Sequence, residues 1–301
     1  MLYRSIPQTT LQVSPLCLGT MTFGRPLAHR AAIGVVHAAL DAGINFIDTA
    51  DMYEGYDRKA GSAGGVAEQI LGEALRDRRH EVVLMTKVGN AVGDESYSGS
   101  GLSSGHIRHQ IEASLRRLET DYVDLYLLHR PDPTTPLSET LQTINELIKA
   151  GQIRYWGFSN FDAVQINEMI NICIEQGWPR PVLSQPRYSW LDRNAEAEHM
   201  PSCQRHEIGV TPYQPLAGGL LTGKYQGKQV IPSTSRANDG SGWLNSPDES
   251  TQARLMTFLA EAKQRGERPV RYALQWLQDQ PGIVAPVVGV RNLSQLQELV
   301  A

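Results

Sequence analysis

Three observations predict an α/β fold in which a single (β/α)8 TIM barrel spans residues 1–301. Eight short apolar runs alternate with amphipathic helical patterns from one end of the 301 residues to the other. The runs are continuously apolar rather than alternating, the pattern of parallel strands covered on both faces. No linker, repeat or low-complexity tract divides the chain.

The elements follow in order. LYRSIPQTTLQV (2–13) predicts a small β-hairpin placed to plug the barrel bottom. PLCLGT (15–20) is the first strand, and HRAAIGVVHAALDAG (29–43) is a helix ending at Gly43, a natural C-cap. NFIDTA (45–50) then pairs with GGVAEQILGEALRD (64–77), VVLMTK (82–87) with HIRHQIEASLRRLE (106–119), and DLYLLH (124–129) with LSETLQTINELIKAG (137–151). IRYWGFS (153–159) precedes DAVQINEMINICIEQG (162–177), and VLSQPR (182–187) precedes NAEAEHMPSCQRHE (194–207), a helix that Pro201 is expected to interrupt. GVTPYQ (209–214) is the seventh strand. Residues 226–250, rich in Gly, Ser, Asn and Pro, read as a long loop, a length that usually marks a cover over a site. ESTQARLMTFLAEAKQRG (249–266) and RPVRYALQWLQDQ (268–280) are helices, and IVAPVV (283–288) is the last strand.

Composition narrows the function. With 41% hydrophobic and 20% charged residues and a formal charge of −4, the chain has no basic stripe, which argues against nucleic acid as a partner. Cys17, Cys173 and Cys203 are odd in number and far apart, without metal or redox spacing, as in reduced cytosolic thiols. The N-terminus lacks the apolar core of a signal peptide and no run approaches transmembrane length. A cytoplasmic protein without a membrane partner is the expectation.

Chemistry in such a barrel gathers where strands end. The second run stops at Asp48, with Asp51 and Tyr53 just beyond; the third ends in Lys87, the fourth in His129, the fifth in Ser159 and Asn160, the sixth in Gln185, the seventh in Tyr213 and Gln214. Each has a structural reading: Asp48 as a turn residue or half of an ion pair with Lys87, His129 satisfying a carbonyl, Tyr53 as packing. Their coincidence at one barrel mouth favours chemistry. A phenol of pKa about 10 is a weak acid at neutral pH, and an adjacent ammonium lowers that value. Asp48 would keep Lys87 charged, Lys87 would tune Tyr53, and His129 would orient a carbonyl oxygen. The set reads as a proton donor for carbonyl reduction, with no metal.

At these residues the chain resembles the aldo-keto reductase superfamily nearly end to end, through VSPLCLGTMTFG, GINFIDTADMYEG, AEQILGEAL, TKVG, SLRRLETDYVDLYLLHRPD, GQIRYWGFSNF, PYQPLAGGLLTGKY and PVVGVRNLSQLQEL. LGTMTFG and LYLLHRPD look more like bacterial general-stress or channel-β-subunit relatives than the aldose-reductase branch. The resemblance implies catalysis by Asp48, Tyr53, Lys87 and His129, with Tyr53 as acid/base and a small aldehyde or ketone as substrate. It implies NADPH/NADP+ lying extended across the mouth, and no G-x-G-x-x-G here suggests a Rossmann alternative. By the same resemblance Ser159, Asn160 and Gln185 hold the carboxamide and Tyr213 stacks on the nicotinamide. Thr22, Asp48, Gln214, Leu216, Gly218, Leu220 and Lys224 would also line the cofactor, Gly218 and Gly219 permitting close approach of the pyrophosphate. Gly289, Arg291 and Gln295 would meet the adenosine end, and Trp243 would join a lid. Leu299 stands where relatives commonly carry Asn, and Ser189 replaces the usual Asn after QPRY.

Two other readings compete. A redox-sensing, NADPH-binding subunit with weak catalysis would carry the same four residues. A barrel hydrolase would use Asp48 with Asp51, but carboxylates three residues apart on one loop are poorly placed to flank a bond.

Overall fold

Alternate residues of a strand face opposite sides of its sheet, and here that parity sorts the chain into a barrel interior and a helix-covered exterior. The computed structural model describes residues 1–56, 58–59, 61–93, 98–225 and 248–300. Its barrel strands are β1 (Cys17–Gly19), β2 (Phe46–Asp48), β3 (Val83–Val88), β4 (Val123–Leu128), β5 (Ile153–Ser159), β6 (Leu183–Gln185), β7 (Gly209–Val210) and β8 (Val287–Gly289). All are parallel, in the order β7-β6-β5-β4-β3-β2-β1-β8. Hydrogen bonds from Val284 N to Val210 O (2.8 Å) and Val287 N to Pro212 O (2.9 Å) join the two ends and close the ring.

The crossovers supply helices α1 (His29–Asp41), α2 (Val66–Leu75), α3 (Ser104–Arg117), α4 (Leu137–Lys149), α5 (Ala163–Gln176), α6 (His199–Arg205), α7 (Glu249–Gln264) and α8 (Pro269–Gln278), and α9 (Leu293–Val300) follows β8. Outward-facing Ile47, Leu84, Tyr126 and Phe158 pack under these helices with Val36, Ile70, Ile111 and Ile144. Inward-facing Phe46, Val83, Met85, Leu125, Leu127 and Leu183 form a second core, into which the hairpin Arg4–Ser5/Gln12–Val13 inserts Ile6, Leu11 and Val13. The hairpin meets the first residues of the strands, so it seals the bottom of the barrel, as its position in the sequence suggested.

The structure differs from the sequence reading in three places. Pro201 does not interrupt its helix. The break falls between a 3-10 turn at Asn194–Glu196 and α6, leaving Pro201 in the first turn, where no intrahelical amide bond is required. A short antiparallel ribbon, Val92–Gly93 with Ser98–Gly99, follows β3 without a clear sequence signal. Asp248 caps α7 by accepting from Thr251 N (2.7 Å), so the end of the expected 226–250 loop belongs to that helix, while residues 226–247, with Trp243, lie outside the described residues.

Candidate active site

The same parity that sends Phe46 and Met85 into the barrel sends Asp48 and Lys87, one alternation further on, to the top of its interior. Register places Asp48 opposite Met85 and Lys87 opposite Leu127. The Lys87 ammonium has no exposed surface, yet each of its three protons has an acceptor. Nζ lies 2.7 Å from Asp48 Oδ1 and donates to Thr49 O at 2.8 Å and to the Tyr53 hydroxyl at 3.0 Å. Gln185 Nε2 donates to Asp48 Oδ1 at 2.9 Å, so β6 also grips the carboxylate. Asp48 is thus an ion-pair partner inside the barrel rather than turn punctuation.

The electrostatics give each group a defined proton. Burial pulls the Lys87 pKa down, but the charge of Asp48 and the contact with Tyr53 outweigh it and hold the lysine above its usual range, hence charged. Burial raises the Tyr53 pKa. Lys87 lowers it, Asp48 raises it again, and the net shift is upward. The lysine lowers the phenol's pKa as the sequence predicts, but desolvation outweighs it, and Tyr53 keeps its proton at neutral pH. His129 is pushed well below its usual value by burial, then by the charges of Lys87, Arg130 and Arg58, so it is neutral. Its ring meets Tyr53 edge-on, with centroids 5.9 Å apart and planes at 78°. Its Nδ1 is buried without a hydrogen-bond partner among the described residues.

From Asp48 a chain of hydrogen bonds runs toward β7. Ser159 Oγ donates to Gln185 O (2.7 Å), Asn160 Nδ2 donates to Ser159 Oγ (3.0 Å) and His129 O (2.9 Å), and the Tyr213 hydroxyl donates to Asn160 Oδ1 (2.9 Å). Asn160 reaches all three through a left-handed backbone, φ 65°. These strand ends therefore present amides and a half-exposed phenol ring beside Asp48, Tyr53, Lys87 and His129.

The remaining cofactor candidates lie along the rim from β7 to β8. Gly218 and Gly219 adopt φ 68° and 102° in the 3-10 segment Ala217–Thr222, and a Cβ on Gly219 would come 3.1 Å from Lys224 Nζ. Side-chain-free backbone beside an ammonium suits a phosphate, so these residues fit an extended dinucleotide. Leu216 and Leu220 pack against the Leu221–Phe258 core, and Gln214 is half-buried at φ 56°. Thr22 spends its hydroxyl on Val290 O (2.7 Å), tying the first loop to the end of β8. Gly289 is exposed, the Arg291 guanidinium lies 5.0 Å from the Tyr56 ring centroid, and Gln295 Oε1 accepts from Arg291 N at 2.8 Å.

Asp51 belongs elsewhere. It is buried outside the barrel wall, near Glu68, Arg117 and Tyr126, and neither carboxylate oxygen has a partner among the described residues. Arg117 instead serves Glu68 (Nε–Oε2 2.7 Å), which also accepts from Thr86 Oγ1 (2.6 Å). The two aspartates at the end of β2 therefore do not face one substrate, which removes the paired-carboxylate reading. Sequence reasoning missed the Gln185–Asp48 bond, the carbonyl of Thr49 and the position of Arg58. Only the first had a signal, a polar residue at the matching inward position of β6.

Known proteins resemble this chain along its whole length. The sequence model of the Aldo/keto reductase family matches residues 15–301. A probable voltage-gated potassium channel subunit beta of Arabidopsis thaliana is 34% identical, over 99% of this chain and 90% of the relative. An oxidoreductase of Bacillus subtilis, YrpG, is 34% identical over the same shares. The aldo-keto reductase AMT2 of Alternaria alternata is 32% identical over 99% of this chain and 86% of its own length.

Burial, then the charge of Glu68, raise the Asp51 pKa well above the carboxylate range, and the charges of Arg117 and Arg58 offset only part of this. A carboxyl raised by folding lowers stability as pH climbs from its unfolded value, about 3.9, through its folded one. Asp51→Asn cannot ionise. Its thermal midpoint is expected to exceed that of the wild type at pH 8, with the gap closing toward pH 4. A lower midpoint than wild type at pH 8 would mean that the carboxylate is ionised and stabilised.

Proposed function

The chain belongs to the aldo/keto reductase family, and we propose that it is an NADPH-dependent reductase converting an aldehyde or ketone to an alcohol with Tyr53 as proton donor. Family membership supports an oxidoreductase using a nicotinamide cofactor. The observation that carries the finer reading is the Tyr53 hydroxyl, which accepts from a buried, charge-held lysine at 3.0 Å beside a neutral imidazole.

The bound cofactor would supply a hydride to the carbonyl carbon. The carbonyl oxygen sits between Tyr53 and His129, where the phenol donates a hydrogen bond and the imidazole fixes its direction. As negative charge grows on that oxygen, Tyr53 gives up its proton. The phenolate left behind is stabilised by the ammonium of Lys87, already in place and needing no rearrangement. Asp48 and Thr49 O hold that ammonium still, and Gln185 holds Asp48. The raised phenol pKa fits this role: the proton is present at neutral pH, and the lysine makes its departure possible. Ser159, Asn160 and Tyr213 would receive the nicotinamide, Lys224 with the adjacent glycine backbone the pyrophosphate, and Arg291 the 2′-phosphate.

A second reading, a cofactor-binding subunit with weak catalysis, draws on the channel-subunit name of one relative. Both readings carry the same four residues, so carbonyl turnover is what separates them. The proposal includes a cytoplasmic location, which three buried, unbridged cysteines support. No described helix is long and apolar enough to cross a membrane.

Wild-type protein is expected to oxidise NADPH when given aldehydes or ketones. In Tyr53→Phe the rate should fall about 10²–10⁴-fold, the range for general acid catalysis, with NADPH binding close to wild type. Near-wild-type turnover in that variant, or no turnover of any carbonyl by the wild type, would sink the reading.

The cofactor's phosphate gives a separate test. A hydrogen bond to a charged group contributes about 1.5–3 kcal/mol, so Arg291→Ala should weaken NADPH about 10- to 150-fold and barely change NADH. Fluorescence titration of both cofactors decides this, and an equal loss for each would assign Arg291 a structural role.

A further inference from the structure

Resting on the reductase reading, we propose that the preferred carbonyl substrate is an anion, with a carboxylate or phosphate that Arg58 and Arg130 receive at the barrel mouth. If Ser159, Asn160, Gln185 and Tyr213 face the nicotinamide, the substrate enters past the loops that follow β2, β3 and β4. Both arginines stand there. Arg58 is half-buried, and its Nε donates to Met52 O at 3.0 Å while Nη2 donates to Ala91 O. The guanidinium is thus pinned between the loops after β2 and β3, beside the residue that precedes Tyr53. Arg130 directly follows His129 and is exposed.

Among the described residues neither charge has an ion-pair partner: Arg58 is hydrogen-bonded to the two carbonyls, and Arg130 has no ion pair or hydrogen bond. The described carboxylates of these loops are engaged elsewhere or turned away. Asp48 is committed to Lys87, and Glu54 accepts from Ser62. Asp132 accepts from Thr134, Thr135 and the Leu102 amide, while Asp51 lies outside the barrel wall. The chain as a whole carries a formal charge of −4, so two arginines without a described acidic partner are a local feature rather than the general surface. Their charges already reach the reaction centre, where both act with burial and Lys87 against protonation of His129. A half-buried guanidinium held by two carbonyls is also preorganised: it loses little freedom on meeting an oxyanion and keeps donors for it.

A neutral carbonyl compound would gain nothing from this arrangement, whereas an anionic one gains both attraction on approach and a fixed orientation. Arg58 and Arg130 would then be specificity-determining residues of the substrate end, distinct from the four that move or hold the proton.

The test uses the full chain with NADPH and matched substrates: 4-oxobutanoate against its methyl ester, and glyceraldehyde 3-phosphate against glyceraldehyde. The first pair probes a carboxylate, the second a phosphate. At low ionic strength at least one anion is expected to exceed its neutral partner by about 10-fold or more in kcat/KM, mainly through KM, with the ratio shrinking as salt is raised. Arg58→Gln and Arg130→Gln should each reduce that ratio, and Arg58→Lys, which keeps the charge, should retain more of it than Arg58→Gln. Arg130→Gln removes no internal contact, so the test stands even if Arg58 variants fold poorly. Equal use of charged and neutral partners by the wild type, or a salt-insensitive ratio, would overturn the proposal and leave the reductase reading standing. No turnover of any of the four would overturn both.

Discussion

A lysine ammonium with no exposed surface is the constraint on which the site depends. Desolvating such an ion costs several kcal/mol, and only well-placed partners offset it. Lys87 has three: the carboxylate of Asp48, the carbonyl of Thr49 and the hydroxyl of Tyr53. Two are on β2 and its immediate continuation, and the third is five residues beyond Asp48, so the pairing of β2 with β3 fixes the whole group at once. A shift of one residue in that register would turn Lys87 to the outer face of the wall, away from Asp48, the Thr49 carbonyl and Tyr53. The pairing of β2 with β3 and the geometry around Lys87 are therefore one requirement.

The consequences extend around the mouth. An ammonium held by Asp48 needs that carboxylate aimed inward, which Gln185 secures from β6. Gln185 in turn accepts from Ser159 through its carbonyl, and Ser159 accepts from Asn160, so the proposed nicotinamide site and the proposed proton donor share one hydrogen-bonded frame. The nearby His129 stays neutral because burial and the lysine's charge both oppose a second cation. In the proposed reaction, that neutrality would let the imidazole orient a carbonyl oxygen without competing with Tyr53 as the acid.

Much of this was legible in the sequence, for identifiable reasons. Continuous apolar runs revealed all eight strands, since both faces of a parallel sheet are buried, and the polar residues ending the second to seventh runs marked the mouth. Asp48, Tyr53, Lys87 and His129 could be grouped because barrel topology converts strand order into spatial adjacency. Other features left no pattern to read. The carbonyl of Thr49 has no sequence identity as an acceptor. The upward shift of Tyr53 comes from burial summed over the pocket, which outweighs the single lysine that sequence reasoning could see. Asp51 looked like a companion to Asp48, yet the turn after β2 carries it to the far side of the wall beside Glu68. Pro201 carried a true signal that was misplaced by a few residues, because a proline breaks a helix only beyond its first turn.

The account's central claim is that Lys87 does chemistry rather than only hold Asp48. Lys87→Met keeps the length and apolar stem of the side chain but removes the charge, and the direct measurement is kcat per folded molecule, corrected for the fraction unfolded by a parallel denaturation curve. With the ammonium gone, the phenolate of Tyr53 loses its stabilising charge, and the account predicts a fall of about 10²-fold or more per folded molecule, together with lower stability from the unpaired Asp48. Lower stability with an unchanged rate per folded molecule would contradict it.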